Sequence, residues 1–273
     1  MPRARPVVRQ CLFCSNNANS KEHAWPNWIL RMRKDKNWGP IKRTVEGLPV
    51  KITASAEVKI KAVCQPCNNG WMSGLETENK SLIGGLLNDL SLPLDTSQQT
   101  SLARWTLKTA MVLDAVTKER NRFYTRTECE NLHLNSVIPD RTTIWVGRYY
   151  RSHLSLDGTE VWIDLPGTPK VAQVCVTTIV VGHLAIQSVT VHVLPEHKDK
   201  EIKGPISMVP GTLLEIWLAS TRPVNWPPSV SFTDNGPTSI GWLFARWRTG
   251  GRAPSTPTTR HKLPTAPANA PKK

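Results

Sequence analysis

The stretch CQPCNNGWMSGLE, Cys64 to Glu76, sets two cysteines one helical turn apart and follows them at once with Asn-Asn-Gly-Trp. A second pair, CLFC at Cys11–Cys14, lies upstream, and KEHAWPNW, Lys21–Trp28, falls between them. Thiolates bind zinc in a tetrahedron, and C-x-x-C lets two sulfurs of one turn reach a single ion. Two such pairs complete a closed four-cysteine site, which holds structure and leaves no position open for chemistry. The 49 residues between Cys14 and Cys64 exceed the roughly 15–20 of a simple zinc ribbon, so something sizeable is held between the two knuckles. The competing reading is two unconnected pairs of buried thiols. The remaining cysteines, Cys129 and Cys175, are isolated and read as plain buried thiols.

Composition narrows the class. The chain has 273 residues, 39% hydrophobic and 21% charged, enough for one large domain or two modest ones with a real core. MPRARPVVRQ lacks the apolar run of a signal peptide, which argues for a thiol-keeping, cytoplasmic setting and against a disulfide framework. The segment Val171–Leu194 contains no Lys or Arg. Its Val/Thr/Ile alternation around Gly182-His183 predicts a buried β-hairpin and not a membrane span. The net charge of +14 is uneven. Residues 1–63 carry thirteen basic and four acidic side chains, and residues 246–273 carry seven basic and none acidic, whereas the middle is near neutral. Such patches attract phosphate-rich partners by counterion release, although a merely solvated basic surface would have the same composition.

Three divisions follow: 1–94 with the cysteines, 95–245 as a second unit, and 246–273 as a basic Pro-rich tail expected to be disordered. LPVKITASAEVKIKAVC alternates as two short strands leading into Cys64. A helix is expected to begin near Asn68 or Asn69, because Asn is a favoured N-cap, and to run past Leu75. SLIGGLLNDLSLPL continues the helical pattern weakly until Pro93. A firmer helix starts at Asp95 or Thr96, with Leu102, Trp105, Leu107, Ala110, Met111, Leu113 and Val116 as its apolar stripe. Beyond Tyr124 the chain turns to strands: TTIWVGRYY, EVWIDL, the Val171–Leu194 hairpin and TLLEIWLAS. The fold class is therefore α+β, with a mostly antiparallel sheet in its second part.

The combination CLFC … EHAWPNW … CQPCNNGWMSGLE resembles the HNH, or ββα-metal, endonuclease family in its zinc-stabilised form with paired C-x-x-C knuckles, and looks like a phage and bacterial branch of it. The resemblance covers Cys11 to about Glu76. It implies a ββα module with Cys11, Cys14, Cys64 and Cys67 on a structural zinc. It further implies Glu22 as a ligand of a catalytic divalent ion, His23 as the general base, and Asn68 as the second ligand. The catalytic ion would be Mg2+ or Mn2+, the substrate DNA, and the setting the cytoplasm of a bacterial or phage-infected cell. Two departures stand out: Glu22 is a methylene longer than the Asp common in the family, and the Lys59 region has no central Asn to orient the base.

Other residues carry two readings each. Asn69 could replace Asn68. Glu76, two helical turns beyond Asn68, could bind the metal, orient His23, or be an exposed helix acid. Trp25, Trp28 and Trp71 could stack on nucleotides or pack the zinc module. Arg9, Lys21, Arg31, Arg33, Lys34, Lys36, Lys42 and Arg43 are the candidate phosphate contacts. A DNA endonuclease is the expected function, with a role in substrate choice, partner binding or self-association left to residues 95–245. The alternative is a non-catalytic zinc module that binds nucleic acid or a protein partner.

Overall fold

Strand β1, Ser20–His23, pairs antiparallel with β4, Lys59–Val63, and the chain then turns directly into a helical run. The computed structural model describes residues 9–32, 38–53, 58–165, 167–199, 211–218 and 222–232. Between β1 and β4 lie a short helix α1, Asn27–Met32, and a hairpin of β2, Trp38–Val45, with β3, Leu48–Thr53. The two strands expected before Cys64 are therefore present as β3 and β4, but each pairs with a different partner.

The helix after β4 starts earlier than Asn68. Cys64 is the N-cap of α2, Gln65–Cys67, and its sulfur accepts from the Cys67 N–H, while Pro66 occupies the first turn where its missing N–H costs nothing. A wider π turn, Asn68–Met72, follows, kinked at Gly70 with φ −92° and ψ −109°. It leads into α3, Ser73–Leu87. The helical pattern read as far as Pro93 stops at Leu87, and β5, Leu92–Leu94, pairs with β9, Val224–Trp226. Helix α4, Thr96–Asp114, begins where expected, with a reciprocal cap between Asp95 and Gln98. Helix α5, Arg126–Leu134, is capped in the same way by Thr125 and Glu128.

The main sheet has six strands and is mostly antiparallel. Its spine is β6, Thr142–Leu165, paired along most of its length with β7, Thr168–Val193; β8, Leu213–Trp217, also pairs antiparallel, while β2 and β10, Ser231–Phe232, pair parallel to β6. TTIWVGRYY and EVWIDL thus belong to one strand, with a register shift between Arg148 and His153. The Val171–Leu194 segment is likewise one strand and not a hairpin. Gly182 lies opposite His153, at that register shift, with φ +61°. A Cβ there would lie 2.5 Å from the Leu87 carbonyl oxygen, so glycine is required where the end of α3 crosses the sheet. The turn that was expected at Gly182 lies at Gly167 instead, φ +73°.

Packing crosses the division placed at 94/95. Strand β2 joins β6, and one contiguous apolar cluster runs from Cys11 to Trp226 with α4 at its centre, Leu102, Trp105 and Leu107 being fully buried. Cys129 and Cys175 are buried thiols, as expected. The tail 246–273 lies outside the described residues, and no helix among those described is long and apolar enough to cross a membrane.

Candidate functional site

The first knuckle is a tight hairpin. Gln10 bridges Asn17, Cys11 N–H donates to the Asn16 carbonyl at 2.7 Å, and Leu12 N–H donates to Ala62 of β4 at 2.9 Å. That places Cys11 and Cys14 against the Cys64–Cys67 turn, and the four sulfurs lie within 4.8 Å of one another. Cys14 Sγ is 3.5 Å from Cys64 Sγ and 3.5 Å from Cys67 Sγ. A tetrahedron with Zn–S bonds of about 2.3 Å has edges of about 3.8 Å, so the cluster fits one zinc after small adjustment. All four cysteines are free, as a shared metal site requires. Burial works against a Cys64 thiolate, but the Cys67 N–H and the neighbouring thiols outweigh it and lower its pKa to about 7. Burial pushes the Cys11 and Cys67 thiols up. The cluster therefore starts from one readily formed thiolate, and a cation would draw off the remaining protons.

The tryptophans pack this module. Trp25 is fully buried; Trp71 meets Phe13 edge-on at 4.9 Å and stacks on His133 of α5 at 5.0 Å. Helix α5 also holds the first knuckle directly, since Arg126 donates to the carbonyl of Cys14 at 2.9 Å and His133 Nδ1 lies 3.0 Å from the Phe13 carbonyl. Asn19 completes the lacing by accepting the Gln65 N–H at 2.8 Å.

The same contacts bring the end of β1 beside the helix start. Asn68 donates through Nδ2 to Ser20 Oγ at 2.8 Å and to the Lys21 carbonyl at 3.4 Å, so its amide nitrogen is committed to β1. Asn69 is exposed inside the π turn and caps nothing. Between Ser20 and Glu22 the register shifts, two residues of β4 facing Lys21 alone; Glu22 lies inward, at 6% exposure, while Lys21 stays in solvent. His23 is half-buried and sits directly across from Lys59, the position where no Asn was found.

Glu22 does not point into an open site. Its Oε1 lies 3.4 Å from Nζ of Lys108, a buried residue of α4, and Lys108 also donates to Glu76 Oε1 at 2.9 Å. Glu76 therefore does share the Glu22 side of the helix, through a lysine that links them. Burial raises the Glu22 pKa, Lys108 opposes that, Glu76 reinforces it, and the net direction is upward. Lys108 was not singled out in the sequence. The signal was available, since it interrupts the apolar stripe between Leu107 and Met111, where an ammonium needs a buried partner.

Of the basic residues, Arg9, Lys21 and Arg31 are exposed and Lys42 is half-buried; Arg33, Lys34 and Lys36 lie outside the described residues. Arg43 must be removed from the phosphate contacts. It is 1% exposed, with its guanidinium 2.5 Å from Asp114 and 2.7 Å from Glu160. Among the described residues, the four cysteines are the only cluster of three or more Cys, His, Asp or Glu positioned to share a metal ion. Comparison of the chain with protein-family models, with curated proteins and with solved structures gave no match in any of the three.

Proposed function

We propose that the chain is a divalent-metal-dependent endonuclease of the ββα-metal type that hydrolyses DNA phosphodiester bonds. One observation carries the reading: an antiparallel strand pair, β1 with β4, runs into a helix start anchored by four cysteines, with Glu22-His23 at the end of β1 and Asn68 hydrogen-bonded to that strand. His23 is the base, taking a proton from water as its oxygen bonds to phosphorus and the bond to the 3′ oxygen breaks. The 3′ oxygen leaves with the bonding pair and takes a proton from solvent, giving a 5′ phosphate and a 3′ hydroxyl. Glu22 and the amide oxygen of Asn68 would hold a Mg2+ or Mn2+ ion. Such an ion, when bound, supplies positive charge against the charge developing on the phosphoryl oxygens. Zinc on Cys11, Cys14, Cys64 and Cys67 fixes the geometry and takes no part in the reaction. Arg9, Lys21, Arg31 and Lys42 contact backbone phosphates.

Cleavage of supercoiled plasmid with Mg2+ or Mn2+, by the intact protein and by His23→Ala at matched zinc content, tests the reading. Nicking by the first and none by the second is the expected result.

A second reading has its own observation. The Glu22 carboxylate already has a cation partner in Lys108, which suits a zinc module that binds nucleic acid without cutting it. Equal DNA binding by both proteins, with no cleavage in any metal, decides for that reading.

A further inference from the structure

Helix α4 delivers a single ammonium to the two acids that flank the candidate site. Lys108 comes from α4, Glu22 from β1 and Glu76 from α3, and the three meet with Nζ–O distances of 3.4 and 2.9 Å. The lysine stem runs beside Trp105, with Nζ 6.0 Å from the ring centroid, and its side chain is 2% exposed. An ammonium so deep in the fold persists only beside carboxylates, and here it meets two of them. With the lysine charged and both acids ionised, the group keeps one net negative charge.

The two contacts are not equivalent. Glu76 is 19% exposed at its side chain and holds the ammonium at 2.9 Å; Glu22 is 8% exposed and holds it at 3.4 Å, beyond the usual range of a charge-assisted bond. Glu22 is thus the weakly held partner, although it is the more deeply buried one.

We propose that Lys108 is the resident cation of this carboxylate pair and a positioning residue of the site. Its ammonium competes with a divalent ion for Glu22 and passes to Glu76 when the ion binds. The inference rests on the reading that Glu22 is a metal ligand. It makes divalent-ion binding weaker than two buried carboxylates alone would give, because a like charge stands within a few ångströms of the ion.

The test is titration with Mn2+, followed by the electron paramagnetic resonance of the free ion, on full-length zinc-loaded protein. Wild type, Lys108→Met, Glu22→Gln and the double variant are compared. Lys108→Met is expected to bind one Mn2+ about tenfold or more tightly than wild type, and the gain is expected to vanish with Glu22→Gln. Unchanged or weaker binding by Lys108→Met, or a gain that survives Glu22→Gln, overturns the proposal.

Should Lys108→Met lose its zinc or its fold, the nitrogen resonance of the Lys108 ammonium in wild type replaces it. That signal is expected to move on Mg2+ addition in wild type and to stay fixed in Glu22→Gln; a fixed signal in both overturns the proposal. Plasmid cleavage on the same proteins separates this inference from the nuclease reading. A Glu22-dependent gain in Mn2+ affinity without any cleavage by wild type keeps the resident cation and removes the nuclease. Cleavage by wild type with no such gain does the reverse.

Discussion

Helix α4 carries two buried charges six residues apart, Lys108 and Asp114, and each is the centre or the edge of a group made from one cation and two carboxylates. Around Asp114 the group is closed. Arg43 is shared by Asp114 and Glu160; Asp114 also accepts the Tyr124 N–H at 3.1 Å, and Glu160 accepts from Gln173. All three charged side chains are at most 4% exposed. Around Lys108 the group is looser, with one contact at 3.4 Å, Glu76 partly open to solvent, and the neighbouring strand end carrying His23. On the proposal above, the first group is structural and the second belongs to the site. Two short contacts, at 2.5 and 2.7 Å, tie β2, α4 and β6 together although the Arg43 Nε is left without a partner, whereas the 3.4 Å contact to Glu22 is the one a proposed exchange of partners would break.

Zinc removal breaks the comparison most severely. A zinc ion on the four cysteines would tie the first knuckle to β4 and the start of the helical run, so its removal is expected to release the Lys108 side and leave the Asp114 side packed. Structural zinc in small modules contributes on the order of 10 kcal/mol at neutral pH. Hydrogen exchange after chelation is expected to show lost protection in residues 59–72 with β6 and β7 still protected; uniform loss across the sheet would sink the idea that the two groups are independent.

Arg43→Met comes next. It leaves Asp114 and Glu160 buried without their cation, a change worth about 3–5 kcal/mol of stability. Burial opposes the Arg43 charge, yet the Cys175 sulfur, Asp114 and Glu160 outweigh it and raise its pKa, which is the signature of a tightly held cation. Chemical denaturation measures the loss. Zinc content and Mn2+ affinity should stay near the wild-type values, and a variant that loses both would join the two groups into one.

How much of this could be read in advance follows from the range of each signal. The helix start at Asp95 or Thr96, the apolar stripe of α4 and the grouping of the four paired cysteines are local patterns, and they stand as expected. The helix starts at Cys64 and not Asn68 because a thiol, an unusual cap, accepts the Cys67 N–H while remaining one of the four sulfurs that could share a metal. Val171–Leu194 was split into a hairpin because Gly182 resembles a turn, when its positive φ answers a helix end arriving from residue 87. Arg43 was placed with the surface cations for the same reason. Its partners are 71 and 117 residues away, and no local pattern reports them. Lys108 lies between these cases: its break in the stripe was visible, and its partners were not.

Lys108→Met should cost less than Arg43→Met, about 1–3 kcal/mol, because Glu76 can regain water and only Glu22 is left buried and unpaired. The measurement is the same denaturation series. A loss equal to that of Arg43→Met would mean that the Lys108 group is as closed as its counterpart, and the functional distinction between the two would fall.

The smallest effect is one of pH, and it tests the state of Glu22 directly. Its folded pKa is raised from the ordinary 4.5 by burial, against the pull of Lys108. A raised folded value means that the group contributes stability fully present below the unfolded pKa and lost as pH rises through the folded one. Glu22→Gln removes that dependence, so the variant should gain stability relative to wild type as pH is raised from about 4.5 toward 8. Glu128 gives the opposite slope. Burial raises its pKa, but His192 at 2.7 Å and Thr125 outweigh that and lower it, so its contribution is present above about 4.5 and lost as pH falls further. Glu128→Gln therefore changes relative stability only on the acid side. Thermal melts of the two variants against wild type across this range distinguish them. If Glu22→Gln shows no relative gain above pH 4.5, Lys108 neutralises Glu22 fully, and the 3.4 Å contact is as strong as the pairs around Arg43.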